Sequence, residues 1–186
     1  MRTLADALDD FISDYRKSIH PLIEPFDPDW RSPCETGEPQ PGDQGSVVTW
    51  QPVRRDDPHV LARLESALET TLHPDLKTWW GRWFSAHLEA AAPDGALTLL
   101  QLWNAADGDR MVENQIGHVV AQRRANAPLS LFIACTENGS DLQLTVDNLT
   151  GAVMLEPPGK KPLRVVASNL AAFIDELVPR VPNAHS

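Results

Sequence analysis

The sequence predicts one α+β domain, a mixed or antiparallel sheet with flanking helices, and three observations carry that prediction. A strand–helix–strand unit spans residues 96–136. After it comes a meander of short alternating segments separated by turn residues. Amphipathic helices stand near both ends, and no repeat or linker divides the chain into two cores. With 186 residues and 42% apolar content, the chain can bury a sizeable core as a single domain over 1–186.

Leu4, Leu8, Phe11, Ile12, Tyr15 and Ile19 give the first helix its apolar stripe, with Asp6, Asp9, Asp10 and Asp14 mostly off it. Pro21, Pro25 and Pro28 end regular structure. From there to Gly45 the chain reads as a long loop, and 31–45 is its acidic, proline- and glycine-rich part. Residues 46–50 form a short strand closed by Pro52. Asp57 caps a helix with Pro58 at its first position, and Leu61, Leu64, Leu68 and Leu72 form its apolar face. His73 and Pro74 break that helix, and 74–80 adds another helical turn or two. Residues 82–91 fit either strand or helix; the turn signal Pro93-Asp94-Gly95 favours a strand hairpinned to 96–103.

Asp107-Gly108-Asp109 opens a helix that runs to about Arg124, and the strand 129–136 follows Pro128. Val112, Ile116, Val119 and Val120 supply the core-facing stripe of this helix, and Asn114, His118 and Gln122 form a polar row beside it. These polar groups are expected to hydrogen-bond neighbouring backbone and to pin the loop after Ser32. Strands at 142–146, 152–156 and 163–166 make the meander. Ser168 caps a final helix with Leu170, Phe173, Ile174 and Leu177 inward; Pro179 ends it and 181–186 frays.

The net charge of −10 argues against a nucleic-acid partner and against adsorption to anionic lipid. Residues 1–45 hold ten acids against four bases, so −6 of the total sits in the first quarter. Charge runs usually only solvate a surface, but an excess in this segment points toward a binding role. No stretch approaches the roughly 18 apolar residues of a membrane span, and the start lacks a signal core, so a cytoplasmic chain is expected. Cys34 and Cys135 are then separate reduced thiols, with Cys135 a small core residue on its strand. Trp50 and Trp103 end apolar strands and are expected in the core. Trp79, Trp80 and Trp83 are too close together for all three to be fully buried.

No catalytic or cofactor motif is present. His118 has no second histidine on its helix, no Cys-Xaa-Xaa-Cys occurs, and Gly159-Lys160-Lys161 lacks the upstream glycine of a P-loop. A nucleophile pair of Cys34 or Cys135 with His118 is outweighed by the packing role of such residues. The chain is therefore expected to be no enzyme and to need no metal or cofactor.

Several motifs carry a resemblance: Leu99-Leu100-Gln101-Xaa-Trp103, Glu113-Asn114-Xaa-Ile116-Gly117-His118 with Gln122 and Arg123, Ser32-Pro33-Cys34, Trp50-Gln51-Pro52, Leu131-Phe132-Ile133-Ala134, Asn148-Leu149-Thr150-Gly151 and Ala167-Ser168-Asn169-Leu170. Together they resemble the Syd family of SecY-interacting proteins. A glycine at Gly108 departs from the family's usual aromatic residue, and 37–45 departs in its proline and glycine content. The resemblance implies an α+β fold akin to the SUKH superfamily of immunity proteins. It implies no catalysis, and SecY of the translocation channel as the partner whose regulation or quality control the chain serves. Attachment would be peripheral, on the cytoplasmic face of the inner membrane and through SecY. Basic cytoplasmic loops of a membrane protein suit an acidic surface, and Glu35, Glu38, Asp43, Asp56 and Asp57 are the candidate contacts. The matched positions Cys34, Trp50, Trp103, Glu113, Asn114, His118 and Gln122 are expected to be structural. The wider superfamily suggests one alternative, an immunity-type protein that neutralises a basic nuclease toxin.

Overall fold

The computed structural model describes residues 2–42, 45–136 and 140–181. All but the first residue of the tail expected to fray lies outside the described residues. Helix α1 (Leu4–Ser18) opens with a capping box: Thr3 accepts from the Asp6 backbone while the Asp6 carboxylate answers Thr3. Its predicted stripe is buried, with Leu8 and Tyr15 among the most enclosed side chains.

Strands β1 (Ile23–Pro25), β2 (Glu35–Gly42) and β3 (Gly45–Trp50) form a small antiparallel sheet in the order β1-β3-β2. Most of the acidic part expected to be loop is thus a strand. Pro39 and Pro41 are tolerated because β2 is an edge, bonded to β3 alone. Gly37, at φ +79°, lies where the pairing register shifts between Thr36 and Gln40. Apart from Glu35, whose side chain turns inward, the residues of β2 are exposed or half-buried.

Strand β4 (Val53–Arg54), helices α2 (Ala62–Leu68) and α3 (Pro74–Gly81) and strand β5 (Trp83–Phe84) follow, with β4 paired to β5. Helix α2 starts at Ala62, four residues after Pro58, because Asp57 spends its carboxylate on a turn, accepting from His59 N at 2.8 Å. Leu61, Leu64, Leu68 and Leu72 are all buried as expected.

The main sheet joins β6 (Leu88–Ala92), β7 (Gly95–Leu99), β8 (Ser130–Thr136), β9 (Gln143–Asp147), β10 (Val153–Glu156), β11 (Arg164–Ala167) and β12 (Val178–Pro179). Its order is β11-β10-β9-β8-β7-β6-β12 and every neighbouring pair is antiparallel. The predicted β6–β7 hairpin is present. The strand expected to reach Trp103 ends its ladder at Leu99, and Leu102 makes only an isolated bridge to Phe84. β12, where only the end of a helix was expected, closes the sheet's far edge against β6.

Helix α4 (Ala105–Arg124) is capped by Asn104 rather than opened at Asp107: Asn104 accepts from Asp107 N at 2.8 Å, and Asp107 accepts from Trp103 N at 3.0 Å. Helix α5 (Leu170–Asp175) is capped by Asn169, which accepts from Ala172 N at 2.9 Å, and not by Ser168. α4 lies against β8 and α2, while α1 packs on α3, α5 and β12.

A candidate protein-binding surface

The polar side chains of α4 hold the helix to the sheet. Gln115 grips the Phe132 backbone at both groups, donating to its carbonyl at 2.8 Å and accepting from its N–H at 3.2 Å. Two turns later Gln122 donates to Ser130 Oγ (2.5 Å) and Glu156 Oε1 (3.1 Å) and accepts from Ser130 N (3.3 Å). Ser130 Oγ also lies within 3.1 and 3.2 Å of the two Glu156 oxygens. His118 places Nδ1 3.1 Å from the Gln143 amide and Nε2 3.3 Å from Glu156, with its ring edge-on to Phe132. Glu156 is fully buried, so this network surrounds a carboxylate with donors. Ser130, His118 and Glu156 are residue types of a hydrolytic triad. Here, however, the hydroxyl engages the carboxylate rather than the imidazole, and all three groups are buried, so the geometry offers no accessible nucleophile.

The predicted row divides. His118 and Gln122 are buried, whereas Asn114 and Glu113 are exposed, and Gln115 joins the buried set unforeseen. On the apolar side Ile116 is half-buried and Val120 is 38% exposed; Met111, Val112 and Val119 complete the core face. Nor does the row hold the loop after Ser32. That loop is pinned by the residues just before α4: Ser32 Oγ donates to the Trp103 carbonyl at 2.5 Å, Asn104 Nδ2 to the Arg31 carbonyl at 2.8 Å, and Trp103 Nε1 to the Trp30 carbonyl at 3.2 Å. Arg110 stacks 4.4 Å over the Trp30 ring, and Trp50 meets Trp103 edge-on at 5.9 Å. Cys34 is buried beneath, where burial pushes its thiol up. The family-motif positions Cys34, Trp50 and Trp103 therefore meet at one junction, which seats the small sheet against the N-terminal end of α4.

Other expectations change at the surface. Trp50, Trp79 and Trp80 are buried, while Trp83 and Trp103 are only half-buried. Cys135 is exposed rather than in the core, because it faces outward on β8 between buried Ala134 and half-buried Thr136. On the face of the sheet that carries Phe173, a cavity of about 430 Å³ is lined by Leu97, Leu144, Leu155 and Val166, with the Arg164–Asp94 ion pair (2.5 Å) at its rim.

The acidic candidates fall into three groups. Glu35 is an internal strut: its side chain is 5% exposed, it pairs with Arg31 Nε at 2.6 Å, and it accepts from Ser32 N at 2.9 Å. Asp56 and Asp57 are committed to arginines. Asp56 bridges Arg54 (2.6 Å) and Arg82 (3.1 Å), and Asp57 pairs with Arg55. Asp9 completes that cluster, receiving Arg82 Nε at 2.7 Å, Arg54 Nη1 at 3.0 Å and the Trp83 indole N–H at 3.0 Å. Burial pushes the Asp9 carboxyl up, but the bonds from Arg82 and Trp83 and the neighbouring positive charges outweigh it and hold the group below its ordinary range. Only Glu38 of the described candidates is exposed and unpaired; Asp43 lies outside the described residues.

Beside Glu38, sequence reasoning passed over Asp27 and Asp29, which sit in the turn after β1. Both are exposed, and no Lys or Arg among the described residues pairs with them or with Glu38. Between residues 20 and 42 the chain carries Glu24, Asp27, Asp29, Glu35 and Glu38 against Arg31 alone, a net of −4. The acid-rich segment is therefore a seated antiparallel sheet with outward carboxylates.

Comparison with known proteins gives a consistent picture. Residues 2–179 match the family model described as Syd protein (SUKH-2). The chain is 38% identical over 181 residues to Protein Syd of Pseudoalteromonas atlantica, covering 95% of this chain and 96% of that one. It is 37% identical to Protein Syd of Alteromonas mediterranea (95% and 97% covered) and 33% identical to that of Idiomarina loihiensis (97% of each).

Proposed function

The chain belongs to the Syd family (SUKH-2), and from that premise we propose that it is a non-enzymatic protein that binds basic cytoplasmic loops of SecY and thereby regulates or checks the translocation channel. One observation carries this reading: a rigidly seated small sheet presents Asp27, Asp29 and Glu38 as exposed carboxylates without cationic partners among the described residues. Carboxylates already paired, such as Asp56 and Asp57, have little field left for a partner. Unpaired ones steer a lysine- and arginine-rich loop toward the surface. No helix among the described residues is long and apolar enough to cross a membrane, and attachment to the cytoplasmic face of the inner membrane would run through SecY.

The test is association with SecY-containing membranes at varied salt, comparing the chain with an Asp27→Lys, Asp29→Lys, Glu38→Lys variant. Salt should slow association of the parent chain, since exposed charges are screened beyond about 8 Å at physiological ionic strength. The variant, folded by circular dichroism, should fail to be recruited. Unchanged recruitment with an unchanged salt dependence would remove the small sheet from consideration.

A further inference from the structure

The positive charge of this acidic chain is as localised as the negative. Segments 114–136 and 157–174 contain no Asp or Glu, yet they hold Arg123, Arg124, Lys160, Lys161 and Arg164, five of the 16 basic residues. The fold brings Arg124, Lys160 and Lys161 to one corner. The β10–β11 turn folds over the end of α4, where a Cβ added at Gly159 would lie 3.0 Å from the Ala121 Cβ. Arg124 stands three residues beyond Ala121 on the same flank of the helix. Lys160, Lys161 and Arg124 are exposed and form no ion pair among the described residues.

Apolar surface accompanies these charges. Leu163 and Val165 are each 61% exposed. Leu163 donates its N–H to Leu155, Val165 sits across from Met154, and Arg164 from Leu155. Arg164 therefore points to the cavity side of the sheet, while Leu163 and Val165 point to the side that α4 covers, beyond the helix's reach. β11 is also the free edge of the main sheet. Lysines next to exposed branched aliphatics, in segments that carry no acid of their own, match the chemistry of a lipid surface: anionic headgroups above and acyl chains just beneath.

The two poles are separated by the length of α4. Its N-terminal end abuts the loop that seats the acidic sheet, and its 20 residues span about 30 Å to the basic corner. That distance is several times the ~8 Å screening length, so the net charge does not govern what the corner attracts. We propose that the corner formed by Arg124, Lys160, Lys161, Leu163 and Val165 docks on the anionic headgroups of a phospholipid bilayer. The contact is weak alone, because three unpaired cations and two aliphatic side chains fall short of stable anchoring. It orients the molecule and adds to whatever protein contact the acidic sheet makes.

Sedimentation of the full chain with vesicles tests this without SecY, so its outcome is separate from that of the SecY reading. At physiological ionic strength, where the ~8 Å screening length holds, the chain should bind vesicles of phosphatidylglycerol and phosphatidylcholine mixed, and not vesicles of phosphatidylcholine alone. Lys160→Gln with Lys161→Gln should weaken that binding about thirtyfold, roughly fivefold per lysine. Arg124→Gln, on a different element, should weaken it about fivefold, and Glu38→Lys should not weaken it. Absence of binding to the anionic vesicles, or binding indifferent to the lysine pair, would overturn the proposal. Retention on immobilised poly-glutamate without vesicle binding would assign the corner to an acidic protein instead and equally overturn it.

Discussion

Gln122 is the residue on which the buried carboxylate depends most. It supplies one of the donors to Glu156 and holds Ser130, which supplies another. Gln122→Leu should therefore cost about 1–3 kcal/mol, the usual penalty for leaving a buried acceptor short of a partner, and more if the carboxylate stays charged. Exposed Asn114→Ala should stay within about 0.5 kcal/mol, and thermal denaturation of the two variants decides between a buried and a surface row. The sequence made them look equivalent because a spacing of four slightly overshoots one full helical turn. The small rotation accumulates over two such steps, carrying the row from solvent at Asn114 into the interface at Gln122. His118 and Gln122 were legible as constrained polar groups. Glu156, on a strand beyond two intervening ones, was not, because nothing local marks a carboxylate that the sheet will enclose. Ionisation follows from the same kind of placement. Tyr15 is the only tyrosine, and burial pushes its hydroxyl up to about 12. Its neutral form stabilises the fold fully below about pH 10, the unfolded value, and that contribution is lost as pH rises toward 12. Phenolate absorbance should thus lag in the native protein and appear near pH 10 in urea; coincident titrations would show that Tyr15 is solvated. Asp9, Asp57 and Glu65 have the opposite sign. Burial raises Asp9 and Asp57, but arginine and other donors prevail, and Lys77 with the Leu72 N–H lowers Glu65. Their contribution is present above about pH 4 and is lost as pH falls through the lowered values. Burial holds His87 below its ordinary value, so the melting temperature should begin to fall below about pH 6.5 and drop further below about 4, the acid limb being less steep in Asp9→Asn.

At the scale of elements, α4 is the part most open to a direct test of orientation. Val119 is 1% exposed and Val120 38%. Val119→Asp buries an unpaired charge and should cost at least about 4 kcal/mol, enough to unfold a marginal domain. Ile116→Asp, half-buried, should cost less, and Val120→Asp should be tolerated. Equal melting temperatures for the Val119 and Val120 variants would mean that the helix face is misplaced. The helices and the meander were legible because their periodicities are sustained and their turns carry Gly, Pro or Asn. β2 was not, since Pro39, Pro41, Gly37 and Gly42 read as loop when an edge strand tolerates all of them. The same physics hid the start of α2, where Asp57-Pro58 imitates a helix cap but builds a turn first.

At the scale of the whole molecule, the main sheet is a near-sequential meander, with one exception that matters. The α+β class and most of the strand order followed from the local pattern. The binding surface did not, because pairing by arginines from distant elements decides which carboxylates remain available, as Asp9 with Arg82 illustrates. The exception is the way the chain's two ends meet: α1 lies on α5, and β12 completes the sheet beside β6. During synthesis α1 emerges well before α5 and β12, so even with α3 packed on it the helix lacks part of its cover until those elements follow. Nascent chains arrested before Leu170 should accordingly be more protease-sensitive at α1 than the full-length chain. The packing of α1 is completed only by α5 and β12, more than 150 residues further along the chain.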